Sequence, residues 1–400
     1  MKCESIKLKD LLQSKGYIRG PFGSALKRGE LQKTGIPVYE QQHAIIGTRN
    51  FRLFVDSQKY EELKRFTVRT DDIIISCSGT IGKASIIKKN DPKGIISQAL
   101  LILRCDAKKI LPEYLYYFLT SSRGFHAITS VSSGSVQVNI AKREVIENID
   151  IPYFILDIQK RIVSILKNID DKIELNNKIN NNLLEQVLTL YLNRFVDTVN
   201  DERRICRADE YFDISIGKTP PRKEPQWFST NPQDVTWVSI SDMGTCGLYI
   251  SSSSEQLTRE AVDRHNVKVV PDNTVLLSFK LTVGRIAITN GEMTTNEAIA
   301  HFKTDKKEIN EYLYCYLKCF NYQTMGSTSS IATAVNSKII KGMPFVVPTD
   351  DELKEFHDLA APMFAKIKAN QIETDNLSAL RDTLLPKLMS GELDVSDIDL

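Results

Sequence analysis

Short runs of aliphatic and β-branched residues occupy two stretches of this 400-residue chain, and a long stretch of helical periodicity follows each of them. The runs IIISCS (73–78), ALLILRC (99–105) and TVLLSF (274–279) alternate with clusters of Gly, Asp, Asn and Ser, which is the pattern of strands joined by turns. An aromatic helix follows (112–122 and 310–320), then a serine-rich loop (130–139 and 325–336), and finally a proline that leads into an uninterrupted helical stretch. Each half therefore reads as an α+β domain followed by a helix.

The halves are copies of one plan. SCSGTIGKASII (76–87) aligns with SFKLTVGRIAIT (278–289), setting Ser76 on Ser278, Thr80 on Thr282, Gly82 on Gly284 and Lys83 on Arg285. PEYLYYFLTSS (112–122) aligns with NEYLYCYLKCF (310–320), and IDIPYF (149–154) with FVVPTD (345–350). Three collinear matches with a slowly drifting offset indicate a duplicated unit of half the chain.

The two long helical stretches share a heptad phase. Ile162, Ile169, Asn176, Leu183 and Leu190 recur every seven residues, with Ile165 and Ile179 at intermediate d-type sites. Phe356, Met363, Asn370, Leu377 and Leu384 repeat the pattern, with Leu359 and Leu380 between. Each series has an asparagine at its middle a-type position, a residue that trades stability for a fixed register. Two helices packed only on their own domains would leave the matching asparagines unexplained. The pattern predicts helices of about 35–40 residues, roughly 55 Å long, paired antiparallel with Asn176 near Asn370. The domains would then sit at opposite ends of a rod, related by a pseudo-twofold axis. The expected fold class is thus α+β, two pseudo-repeated domains separated by two long antiparallel helices forming a coiled coil, with boundaries at 1–150, 151–200, 201–349 and 350–400.

Charge adds a direction to this plan. The overall balance is +2, yet residues 1–150 have 24 Lys and Arg against 15 Asp and Glu, while 351–400 have 5 against 11. A basic N-terminal third suits a polyanion. No apolar stretch reaches the length of a membrane span, and MKCESIKLKD has no apolar secretory region, which points to a cytoplasmic protein without a membrane partner. Seven scattered cysteines without a CxxC pair read as reduced thiols.

Catalytic patterns are missing. SGTIGKAS (78–85) has Cys77 where a phosphate loop needs glycine and Ala84 where it needs a hydroxyl. His43, His126, His265, His301 and His357 form no HxxxH or HExxH pair, so no metal site is expected. Neither Thr219-Pro220-Pro221-Arg222 nor Asp150-Ile151-Pro152-Tyr153 is the Asn/Asp-Pro-Pro-aromatic turn of a DNA methyltransferase. What recurs is polar side chains on loops between strands, suited to base edges and phosphates. In the first copy these are Arg19, Lys27, Arg28, Gln41, Gln42, Arg49, Asn50, Arg52, Thr80, Lys83 and Gln98; in the second, Lys218, Arg222, Lys223, Lys280, Thr282 and Arg285. The matched pairs Thr80 with Thr282 and Lys83 with Arg285 are the strongest candidates.

Several motifs then resemble one family. IGKTPPRKEPQWF and VTWVSISDM (within 216–243) look like the opening of a target-recognition domain in the specificity subunits of type I restriction-modification systems. GPFGSALKRGELQKTGIPVY (20–39) is similar to another common opening, residues 149–186 resemble the central helical region, and LRDTLLPKLMSGELDV (380–395) resembles the usual C-terminus. Tyr153-Phe154-Ile155-Leu156 departs from the family's extra prolines, and the usual Glu-Gln pair around 354–357 is lost. The resemblance implies a non-catalytic subunit binding double-stranded DNA. Its two recognition domains each read one half of a bipartite asymmetric site, and its helices set the spacer and dock two methyltransferase subunits, to which restriction subunits add. It implies no cofactor here, with S-adenosylmethionine, ATP and Mg in the partner subunits. The rivals are a self-contained methyltransferase-nuclease, which S-adenosylmethionine binding would reveal, and a tandem-domain scaffold or adaptor without DNA function.

Overall fold

The computed structural model describes residues 3–22, 25–130, 140–198, 203–325, 335–396 and 398. Most of the two serine-rich loops lies outside these. The chain forms two compact units, one of residues 1–172 with 376–400 and the other of residues 173–375. No helix among the described residues is long and apolar enough to cross a membrane.

In the first unit, four antiparallel strands stand in the order Leu12–Arg19, Leu100–Cys105, Ile73–Ser76 and Ala84–Ile86. Their apolar runs are continuous because both faces are buried. Ile73, Ile75, Leu101 and Leu103 point into one core, with the aromatic helix Pro112–Thr120, while Ile74, Leu100 and Ile102 point into another. That second core is closed by a small sheet of Phe54–Val55, Ile36–Tyr39 and Ile95–Ile96, the last pair parallel. Strand Glu4–Lys7 pairs with Asp150–Tyr153 and ties the unit's start to its end.

The second unit repeats this topology. Asp213–Ile216, Ile299–Lys303, Val275–Ser278 and Ile286–Thr289 are in the same order, with Tyr249–Ile250 added at the edge. Val235–Val238 pairs parallel with Thr294–Thr295, and Arg204–Arg207 pairs with Pro344–Val347. Even buried hydroxyls coincide. Tyr114 Oη donates to the Pro152 carbonyl at 3.0 Å, and Tyr312 Oη to that of Val346 at 2.7 Å.

The long helices are Leu156–Tyr191 and Asp350–Ser390. Within the first unit, Ile162, Val163 and Leu166 share a core with Leu385, Leu388, Met389 and Val395, so the C-terminal segment completes a domain that begins at the N-terminus. Arg161 adds hydrogen bonds to the carbonyls of Val395 (3.1 Å) and Ile398 (2.8 Å). Within the second unit, Val187, Tyr191 and Phe195 pack with Phe356, Ala360, Phe364 and Ile367. There the helices run antiparallel: Asn176 Nδ2 donates to Glu373 Oε2 at 2.9 Å, Asn370 Nδ2 to Asn180 Oδ1 at 2.8 Å, and Arg194 pairs with Glu355. Asn176 and Asn370 are 1% and 2% exposed, and their partners place them about one helical turn apart along the axis.

The heptad frame holds at Ile162, Ile169, Asn176, Phe356 and Asn370, which are buried, and loosens elsewhere. Leu183, Leu190, Met363, Leu377 and Leu384 are half-buried, as are Ile165 and Ile179, while Val187, Tyr191, Phe364 and Leu385 are fully buried. Leu359 and Leu380, expected at d-type sites, are instead 51% and 48% exposed. A straight helix drifts by about 20° per heptad, and each helix also covers the sheet-and-helix core of its unit, so the buried face is broader than a two-helix seam and rotates along the chain.

A buried histidine in the central sheet distinguishes the second unit from the first. His301 is 0% exposed, between Ser215 Oγ (3.0 Å) and Thr295 Oγ1 (2.7 Å). Its place in the sheet register is that of Ile102 in the first unit. Burial, with a smaller contribution from Lys303, lowers its pKa to about 3 from 6.5. The unfolded chain therefore takes up a proton as pH falls through 6.5, while the folded one does not until about 3. The second unit should lose stability over that window at up to about 1.4 kcal/mol per pH unit, and His301→Gln should flatten the slope between pH 6 and 5. Hydrogen exchange resolved by unit measures this. An unchanged slope in the variant would refute it.

Candidate nucleic-acid interface

The aligned Ser-Gly-Lys/Arg motif builds the same hairpin twice. Ser76 Oγ accepts from the Lys83 N–H at 3.0 Å, and Ser278 Oγ from the Arg285 N–H at 3.0 Å. Gly82 N–H donates to the Ser76 carbonyl (2.9 Å) and Gly284 N–H to that of Ser278 (3.0 Å). Both glycines have positive φ, 76° and 90°, and a side chain there would press on Phe125 and Thr129 or on Tyr322. Thr80, Lys83, Lys280 and Thr282 are exposed on these hairpins. Arg285 is not equivalent to Lys83. Its guanidinium lies against Gly244 and donates to the Ile240 carbonyl, whereas the Lys83 ammonium sits 5.0 Å above the Phe125 ring.

The other sequence candidates divide into exposed groups and anchors. Arg49 is an anchor: it pairs with Asp91 at 2.7 Å and donates to the carbonyls of His43, Gly47, Thr48 and Ile86, which leaves its fork committed to loop structure. Gln41 Nε2 donates to the carbonyls of Ser78 and Thr80 and braces the first hairpin, and Gln42 reaches the Asn50 carbonyl at 3.4 Å. Arg52 forks onto Glu40 with its side chain 74% exposed. Lys27, Arg28, Asn50 and Gln98 are exposed. In the second unit, Arg222 forks onto Glu255 at 2.9 and 2.8 Å and stacks on Phe228 (4.1 Å) and Trp237 (4.7 Å). Lys218 donates to the His265 carbonyl at 2.6 Å, and Lys223 is exposed.

Arg19 belongs to a group that the sequence did not bring together. It lines a cleft of about 810 Å³ in the first unit with Lys15, Arg65, Arg69, Arg104, Lys142 and Arg143, and no acidic residue is among the lining residues. One Arg19 guanidinium nitrogen is buried without a hydrogen-bond partner among the described residues. Arg104 is tied to Asp72 (2.7 Å) and Arg143 to Glu147 (2.8 Å). Arg65, Arg69 and Lys142 stand exposed at the rim. The cations of the whole cleft come from four separate segments, so only the summed charge of residues 1–150 hinted at them. A cationic concavity of this kind accepts phosphates.

Known proteins share this plan. The family described as type I restriction modification DNA specificity domain matches residues 2–185 and again 202–375. The type I restriction enzyme MjaIX specificity subunit of Methanocaldococcus jannaschii is 26% identical over 318 residues, spanning 72% of this chain and 71% of that one. The HindI specificity subunit of Haemophilus influenzae is 22% identical over 389 residues, spanning 75% and 81%. The crystal structure of a type I restriction-modification S subunit from M. genitalium superposes with a TM-score of 0.57 at 15% identity, over 99% of this chain and 97% of that one, a likeness of fold. With its duplicated match covering most of the sequence, the chain belongs to the type I restriction-modification DNA specificity family.

Proposed function

We propose that each unit reads one half of a bipartite, asymmetric DNA site for the type I restriction-modification system whose specificity subunit this chain is. The observation that carries this reading is the doubled hairpin. The hydrogen bonds from Ser, Gly and the basic residue recur in both units, while the residues carried on that frame differ: Gly79 and an exposed Lys83 in one, Leu281 and a tethered Arg285 in the other. One frame with two sets of side chains suits two unlike half-sites in a single target. The long helices then serve as the spacer and as docking surfaces for two methyltransferase subunits, with restriction subunits added to them. Methyl transfer and ATP-driven cleavage, with S-adenosylmethionine, ATP and Mg, belong to those partners. The cationic cleft beside Arg19 supports a phosphate grip in the first unit.

Methylation mapping of a host carrying the whole system tests this. Thr80→Ala with Lys83→Ala should relax bases in one half of the site only, and Lys280→Ala with Thr282→Ala in the other half only. Loss of preference in both halves from either pair would refute the assignment of one half to each unit.

A further inference from the structure

Leu281 stands at the tip of the second unit's hairpin, and it is 100% exposed. Its φ is +60°, and the Thr282 N–H donates to the Lys280 carbonyl at 2.6 Å across it, closing a three-residue turn. A turn of this kind with positive φ is strained, and leucine suffers there because its Cβ crowds the following carbonyl. The hairpin alignment places Gly79 at the matching position of the first unit, with φ +64° and no such strain. Thus the leucine gains neither burial nor backbone ease within the folded chain. Its surroundings nevertheless hold it in place, since Ser278 Oγ donates to the Thr282 carbonyl at 2.6 Å and the Gly284 N–H to that of Ser278 at 3.0 Å. Strain that the neighbouring structure over-determines is a mark of functional positions.

We propose that Leu281 is a base-reading residue of the second unit and packs on the 5-methyl group of a thymine in the major groove. This rests on the chain being a DNA specificity subunit. Leucine has no donor or acceptor, and the apolar group that an intact duplex displays on a major-groove base edge is the thymine methyl. Lys280 and Thr282, exposed on either side, suit the polar edges of the neighbouring bases. Gly79 gives the first unit no counterpart, so this mode of reading belongs to one half of the target.

The test uses the chain assembled with its methyltransferase subunits and duplexes carrying the mapped site, each thymine of the second half-site replaced in turn by deoxyuridine. At one position the native complex should lose about four-fold in affinity, the worth of one buried methyl, whereas the complex with Leu281→Gly should be indifferent to that replacement. The variant's melting temperature should be equal to or above the native one, which separates lost reading from lost folding. Sequence-specific binding that ignores every thymine methyl in both proteins would overturn the inference alone. A native complex with no sequence preference would overturn the specificity-subunit reading, and this inference with it.

Discussion

Four residues inserted into both long helices, after Lys172 and after Asp375, should lengthen the unspecified spacer of the DNA target by about one to two base pairs. These are the points where the chain passes from one compact unit to the other. Continued helix adds roughly 6 Å at 1.5 Å per residue and turns by about 400°, while DNA rises 3.4 Å per base pair. The insertion must enter both helices, because they pair within each unit, Asn176 with Glu373 in the second and Asp170 with Arg381 in the first, and a change in one helix alone could not keep both pairs. Three residues give about 300° and should be tolerated less well. The sequence by itself suggests inserting after Asp197, where the first helix nears the second domain. The structure places Asp197 inside the second unit, between a helix end and the strand Arg204–Arg207 of that same unit. An insertion there should leave the spacer as it is. Methylation mapping compares the two, and an active enzyme with an unchanged spacer after the double insertion would sink the ruler.

Arg203→Ala should cost the second unit about 3–5 kcal/mol, the usual penalty for breaking a buried ion pair. The Arg203 side chain is 6% exposed and binds Glu352 through two nitrogens, at 3.1 and 2.8 Å. Its remaining donors serve the carbonyls of Arg194, Phe195 and Thr198 at the end of the first long helix. Glu352 in turn accepts from the Thr349 N–H at 3.0 Å, in a capping box at the start of the second long helix. One guanidinium therefore joins the last turn of one helix to the first turn of the other. Arg203→Lys should recover little, because a single ammonium cannot supply that fork of donors. Urea unfolding measures the loss, and a change below about 1 kcal/mol, the level of a surface pair, would show that the staple is ornamental.

Much of the architecture could be read from the chain because burial leaves a periodic trace. Both faces of the central strands are buried, so residues 73–75 and 99–103 are unbroken apolar runs, and the repeated Ser, Gly and basic positions of the hairpin survive duplication as matching letters. The division of labour among basic residues left no such trace. Arg49 and Arg285 read alike in the sequence, yet Arg49 spreads its guanidinium over several loop carbonyls and Arg285 places one nitrogen on the Ile240 carbonyl, partners brought near only by folding. The cleft cations Arg65, Arg69 and Lys142 were missed for the converse reason, being gathered from segments far apart in sequence. Leu281 was within reach, since aligning SCSGTIGK with SFKLTVGR sets a leucine on Gly79. Its meaning depended on the sign of φ, which apolar periodicity does not encode. Leu359 and Leu380 illustrate the remaining gap: a fixed count of seven predicts their burial, while the rotation of a helix across a broad core exposes them.

The interleaving of the two units also governs how the chain is made. Residues 173–375 are continuous, so the second unit has all its parts once they have left the ribosome. The first unit, begun earlier, lacks Leu385, Leu388, Met389 and Val395 until the whole of the second has been made. The domain translated first is therefore finished last, and Ile162, Val163 and Leu166 remain without that part of their cover throughout. A product terminated near residue 375 would have a complete second unit and an unsealed first one, the form that chaperones and proteases recognise by its exposed apolar surface.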